Sequence, residues 1–169
     1  MKNEQHLPMY GVGPAYVAVI IVLTAAGIAL TAAGRIPTAQ AGPLRIPLIA
    51  AGILLIALGA WSWWSAVFRS RVDENIKKNT LVTTGIYAWV RNPIYAAFLM
   101  ACTGALLLAN NLWLLVLPPA YWLYLTVLMK HTEEKWLAKL YGQEYADYCK
   151  RVNRCIPWFP GKNEHPMDQ

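Results

Sequence analysis

Charge is the scarce commodity in this chain. Only 14% of its 169 residues are Asp, Glu, Lys or Arg, against 57% that are hydrophobic. That balance excludes an ordinary soluble domain, whose surface needs far more charge. Cysteine is nearly absent too: Cys102, Cys149 and Cys155 have no metal-type spacing, so a disulfide framework or a zinc site is not expected. There is no P-loop, no internal repeat and no low-complexity tract. The GVG at Gly11 to Gly13 precedes an apolar run instead of opening a helix after a strand, which excludes a dinucleotide fingerprint.

What is present is apolar and aromatic. Eight Trp and nine Tyr in a short chain point to a bilayer interface as much as to a core. Four runs, approximately 14–33, 46–68, 93–109 and 112–129, carry no Asp, Glu, Lys, Arg or His. The first two are long enough to span a bilayer and the last two lie near the lower limit of about 17 residues. Only Asn110-Asn111 separates the last two, predicting a tight antiparallel hairpin. The first run lacks an adjacent basic segment and is followed closely by another, so it is not read as a cleavable signal. The expectation is a single all-α, integral-membrane domain over 1–169, with four transmembrane helices and a cytosolic C-terminal helical segment.

Orientation follows from the basic residues. The 69–92 loop holds Arg69, Arg71, Lys77, Lys78 and Arg91, and the tail holds Lys130, Lys135, Lys139, Lys150, Arg151, Arg154 and Lys162. The first loop has only Arg35 and Arg45. Both termini are therefore expected in the cytosol, in a multi-pass protein of a prokaryotic inner or cell membrane. The net charge of +6 reads as topology and contact with anionic membrane lipids, not as nucleic-acid binding. No obligate protein partner is implied.

Two segments, 80–95 and 130–159, hold the chemistry. In TTGIYAWVRNPIYAAF, Asn92 suits an N-cap and Pro93 suits the first position of the third span. Arg91 is not explained by capping. It either snorkels to headgroups or, beside a helix N-terminus, binds a carboxylate or phosphate. After the fourth span, a helix is expected to continue from Met129 to Tyr141, with Trp136, Leu137, Leu140 and Tyr141 on one stripe. Glu133 projects near the middle of that stripe and Glu134 at its edge. A carboxylate on an apolar face needs a partner or a ligand, and Arg91 or a basic tail residue is the expected partner for Glu133. Gly142 should end this helix before a second short one over Gln143 to Arg151. A site where the two segments meet would gather Arg91, Arg151 and Arg154, Glu133 and Glu134, and Tyr87, Tyr95, Tyr145, Tyr148 and Trp158.

In order, GIYAWVRNPIY, an apolar hairpin, TEEKWL and YGQEYADYCKRVNRCIPWF resemble the isoprenylcysteine carboxyl methyltransferase family, itself similar to the phospholipid N-methyltransferases. The resemblance covers roughly 80–159. Its pattern falls on Tyr87, Arg91, Asn92, Pro93 and Tyr95, on Glu133 and Glu134, on Gly142, Tyr145 and Tyr148, and on Arg154 and Pro157. It implies an integral-membrane methyltransferase using S-adenosylmethionine, bound between the last helical hairpin and the tail. The Arg91-Asn92-Pro93 turn, Tyr87, Tyr95 and the Glu133/Glu134 pair would hold the cofactor, with Tyr145, Tyr148 and Arg154 in the pocket wall. Two departures stand out: Asn92 occupies a position often held by His, and Ala97 one commonly held by Gly.

Methyl transfer from a sulfonium is an in-line displacement, so positioning supplies most of the catalysis. A carboxylate acceptor needs only a cation such as Arg91 or Arg154 to orient it. An amine or thiol would need a base, for which His131 is the nearest candidate. The expected substrate is a lipophilic small molecule entering from the bilayer. Competing readings are a nicotinamide-dependent sterol-type reductase relative and a non-catalytic four-helix membrane protein or transporter. The absence of ionisable residues within the spans argues against a transport path.

Overall fold

A computed structural model describes residues 12–69 and 80–157. The described residues form helices and turns with no strand. Five α-helices follow in order: α1 (Gly13–Ala32), α2 (Arg45–Trp64), α3 (Pro93–Leu108), α4 (Leu117–His131) and α5 (Glu133–Arg151). A π-helical turn, Ser65–Arg69, extends α2. Short 3-10 turns lie at Gly85–Ala88 and Leu112–Val116.

Among the described residues, three helical stretches are long and apolar enough to cross a membrane: Gly13–Ala32, Gly42–Arg69 and Leu112–His131. The expected third span, α3, has 16 residues. At 1.5 Å per residue it reaches about 24 Å, short of a hydrocarbon core of about 30 Å. Pro93 fixes its start and the left-handed Asn110, at φ 53°, turns the chain just past its end. Large apolar side chains such as Val22, Ile53, Leu54 and Val116 face outward from the helices, as lipid solvation requires. The protein is an all-helical membrane protein.

Helix α2 lies closest to α3 because small residues line the seam. A Cβ added at Gly104 would stand 2.5 Å from the Gly52 carbonyl oxygen, so neither position has room for a side chain. The far end of the bundle, at the Asn110-Asn111 turn, is tied to the α1–α2 connection. Asn111, 2% exposed, accepts from the Ala39 and Trp113 N–H groups at 3.1 and 3.2 Å. Its amide donates to Thr31 Oγ1 at 3.2 Å and to the Pro37 carbonyl at 3.1 Å. A buried amide with every bond made fixes the hairpin's register.

The helix expected through Met129 to Tyr141 is broken. Thr132, at φ −125° and ψ −90°, ends α4, and its carbonyl accepts the first α5 bonds from Lys135 and Trp136. Its hydroxyl turns back to the Leu128 carbonyl at 2.6 Å. Of the expected stripe, Leu137 and Tyr141 pack against buried Tyr145, Tyr148 and Val152, whereas Trp136 is exposed. Gly142 does interrupt the next helix, at φ 54° and ψ −123°, a conformation open to glycine. The kink turns the Tyr145 and Tyr148 face of α5 back toward the 80–92 loop. Expectations for Arg71, Lys77, Lys78, Trp158 and Lys162 lie outside the described residues.

Candidate active site

The loop before α3 and the end of the tail are joined first by their backbones. Arg91 N–H donates to the Asn153 carbonyl at 2.8 Å, and Asn92 N–H to the Arg154 carbonyl at 3.1 Å. Asn92 stands at the N-cap position and its carbonyl accepts from Ala96 N–H at 3.0 Å, but its side chain does not cap the helix. That amide donates to the Arg154 carbonyl at 3.0 Å instead. The tail outcompetes the helix terminus for it. Pro93 is buried at the first turn, and its carbonyl accepts from Ser62 Oγ at 3.2 Å.

This clasp brings three charges together. Arg154 forks onto Glu134, with Nε to Oε1 at 2.6 Å and the terminal nitrogen to Oε2 at 2.9 Å. The same Oε1 lies 3.2 Å from the Arg91 guanidinium. The side chains of Arg91 and Glu134 are only 9% and 16% exposed, so the pairing is little screened. Arg91 also reaches the Tyr145 hydroxyl at 3.4 Å and the Cys149 thiol. Its Nε is buried with no hydrogen-bond partner. Two guanidinium groups thus share one carboxylate, leaving one positive charge without a carboxylate among the described residues and one buried donor unused.

The expected ion pair of Glu133 with Arg91 or the tail is therefore replaced: Glu134 takes the arginines. The break at Thr132 restarts the helix immediately before the acidic pair, so the stripe drawn through a continuous helix assigned the two carboxylates to the wrong directions. Glu133 instead accepts from the Tyr95 hydroxyl at 2.9 Å and meets the Val12 and Gly13 N–H groups at the N-terminus of α1. Desolvation raises its carboxyl above the ordinary range, against the lowering effect of those three donors.

The tyrosines form the wall. Tyr148 donates to the Tyr87 carbonyl at 2.7 Å and holds the 3-10 turn against α5. Burial pushes the Tyr145 and Tyr148 phenols above their usual range, partly offset by the Arg91 charge, so both remain hydrogen-bond donors. The carboxylate fork raises the Arg154 guanidinium. Thus Arg91, Asn92, Glu134, Tyr145, Tyr148 and Arg154 converge, with Tyr87 at their edge. Tyr95 of α3 and Glu133 of α5 form a second, adjoining set against the N-terminus of α1.

Other expectations do not converge. Arg151 is exposed on α5, with Nε 3.4 Å from the Asp147 carbonyl. His131 is exposed at the end of α4. Cys149 and the N-terminal turn of α1 were missed. Cys149 had a signal, standing four residues after Tyr145 on the same helical face; Val12 and Gly13 had none. No group of three or more His, Cys, Asp or Glu suited to a metal occurs among the described residues.

The profile of the family described as phospholipid methyltransferase matches residues 47–144. The chain is also similar to protein-S-isoprenylcysteine O-methyltransferase of Mus musculus, 30% identical over 124 residues, covering 68% of this chain and 43% of the relative. The Saccharomyces cerevisiae protein of the same name is 31% identical over 115 residues, 63% of this chain and 48% of that one. The Schizosaccharomyces pombe protein is 36% identical over 85 residues, 50% and 36% of the two chains. This chain spans less than half the length of these relatives. No solved structure matches it. The matched residues run from α2 through the Arg91 turn and the Glu133-Glu134 pair to the kink in α5, and with them the chain belongs to the phospholipid methyltransferase family and is a membrane methyltransferase similar to the isoprenylcysteine O-methyltransferases.

Proposed function

We propose that the chain is an S-adenosylmethionine-dependent methyltransferase acting on a lipophilic acceptor drawn from the bilayer. The observation that carries this reading is the surplus positive charge of the Arg91–Glu134–Arg154 cluster together with the unused Nε of Arg91. A buried guanidinium with a spare donor fits a carboxylate, which the methionyl end of the cofactor has. Tyr87 and Tyr145 offer aromatic faces, and Glu133 a carboxylate for hydroxyl or ammonium groups. When bound, the cofactor supplies an electrophilic methyl group on a sulfonium.

The chain's own residues then position and orient. Arg91 binds a carboxylate and is held in place by Glu134. Arg154, fixed by its fork, orients an anionic acceptor at the same wall. Asn92 lies where a base would be useful but has no proton-accepting nitrogen, and its amide is committed to the tail. The site therefore favours an acceptor that needs no deprotonation, such as a carboxylate. In this reading all four apolar helices cross the bilayer, α3 with local thinning at its ends. The cluster faces the cytosol with both termini, as the excess of basic residues at that end supports.

Titrating the purified chain with S-adenosylhomocysteine by calorimetry tests the reading. Arg91→Ala and Glu133→Gln should each abolish measurable binding. Near-normal binding in both variants, or saturable binding of NADPH instead, overturns it. Labelled-methyl transfer over lipid extracts, with mass spectrometry of the product, then identifies the acceptor.

A further inference from the structure

On the other side of the 3-10 turn from the arginine cluster lies a half-open cavity of about 370 Å³. Its lining includes Trp61 on α2, Ser65 and Arg69 on the π-helical turn, and Thr84, Gly85 and Trp89 on the loop before α3. The wall between cavity and cluster is well built. Ile86 and Val90 are buried against Ala66 and Ala96, while the Tyr87 carbonyl is turned to Tyr148.

We propose that this cavity is a binding site for the headgroup of an anionic phospholipid, with the phosphate on Arg69 and the glycerol region between Trp61 and Trp89. Three observations carry the assignment. The cavity lies around Ser65 and Arg69, where the uncharged run of the spanning-length apolar stretch Gly42–Arg69 meets its first arginine after α2, which is headgroup depth for any bilayer that stretch crosses. Its polar side chains include the Arg69 guanidinium and the Thr84 hydroxyl, donors that phosphate oxygens take, and its indoles are of the kind that anchor at that depth. Among the described residues its lining contains no Asp or Glu. The described lining is therefore net positive, and a net-negative lipid is favoured over a choline or ethanolamine head. The π-helical turn is consistent with a site here, since such turns are frequent at functional positions. Because Thr84, Gly85 and Trp89 belong to the same loop as Arg91, an occupied cavity braces that loop from behind. The proposal does not depend on the chemistry performed at the cluster.

The test uses the purified full chain in neutral detergent, with phosphatidylglycerol, phosphatidylcholine or inorganic phosphate added. Thermal unfolding and native mass spectrometry are the readouts. Phosphatidylglycerol should raise Tm and remain bound at one molecule per chain, with no such effect from the other two probes. Arg69→Gln should weaken that response by about tenfold, as expected for losing one charge-assisted contact, and Arg69→Lys should recover part of it. Trp61→Leu, which keeps the apolar bulk, should also weaken it. Arg45→Gln, at the opposite end of α2, should respond as the parent does. An undiminished response in both Arg69→Gln and Trp61→Leu overturns the site. Equal effects of phosphatidylcholine overturn the anionic preference, and a full Tm shift from inorganic phosphate overturns the lipid.

Discussion

Glu134 and Arg154 meet in a two-pronged fork, 2.6 and 2.9 Å, across the break between the α4–α5 corner and the end of the tail. Arg91 joins the same carboxylate from the loop before α3. Three separate stretches of chain therefore depend on one acidic side chain.

Glu134→Ala should destabilise the chain by about 2–4 kcal/mol, because it leaves a buried and a largely buried guanidinium group facing each other without their shared partner. Unfolding in detergent would show it as a lowered midpoint. The double change Glu134→Ala with Arg154→Met should recover part of that loss, since it removes one of the stranded charges. A double variant no more stable than the single one would mean that the fork, not the repulsion, dominates.

Glu133 predicts a pH dependence of definite sign. Burial raises its folded-state pKa above the unfolded value, so the folded chain binds its proton more tightly. Its contribution to stability is complete below the ordinary carboxylate range and is lost as pH rises through the raised value. Glu133→Gln keeps an oxygen for Tyr95 and for the α1 N-terminus but cannot ionise. The difference in Tm between parent and variant should therefore shift in the variant's favour as pH rises from 4 to 7. A pH-independent difference would contradict the assignment.

At the other end of the bundle, Asn111→Leu should cost about 3 kcal/mol or more, since it strands two N–H groups and two acceptors that the amide satisfies. Chemical unfolding should report that loss. S-adenosylhomocysteine affinity of the folded fraction should stay unchanged, because the turn lies far from the cluster.

Cysteine reactivity should separate the two tail thiols. Burial pushes Cys155 up to about 12, so at pH 8 only about one molecule in ten thousand presents the thiolate. Iodoacetamide should leave Cys155 unmodified in the folded chain and label it after denaturation. Rapid labelling of native Cys155, read by peptide mass spectrometry, would show that the tail is not docked as described.

Much of this site could be read from residue order alone. Arg91 beside a helix-starting Pro93, an acidic pair after an apolar hairpin, and tyrosines near a terminal arginine converge because each stands at the same end of a neighbouring helix. Helix periodicity failed at Thr132, whose non-helical backbone (φ −125°, ψ −90°) breaks the register that separates Glu133 from Glu134. Asn92 misled for a different reason. Its identity fits a cap, but a carbonyl 62 residues away claims its amide, and no local pattern reports a contact at that distance. The docking of α1 on Glu133 was equally hidden, because backbone N–H groups leave no mark in sequence.

The clasp between residues 91–92 and 153–154 also sets an order of events during synthesis. Arg91 and Asn92 leave the ribosome long before the carbonyls they need, so all four apolar helices are available for insertion while the loop is still unattached. Residues 153–154, made after every apolar helix, join the loop before α3 to the tail. A chain stopped just before Asn153 would retain every apolar helix and would lack the cluster, an assembled scaffold without its keystone.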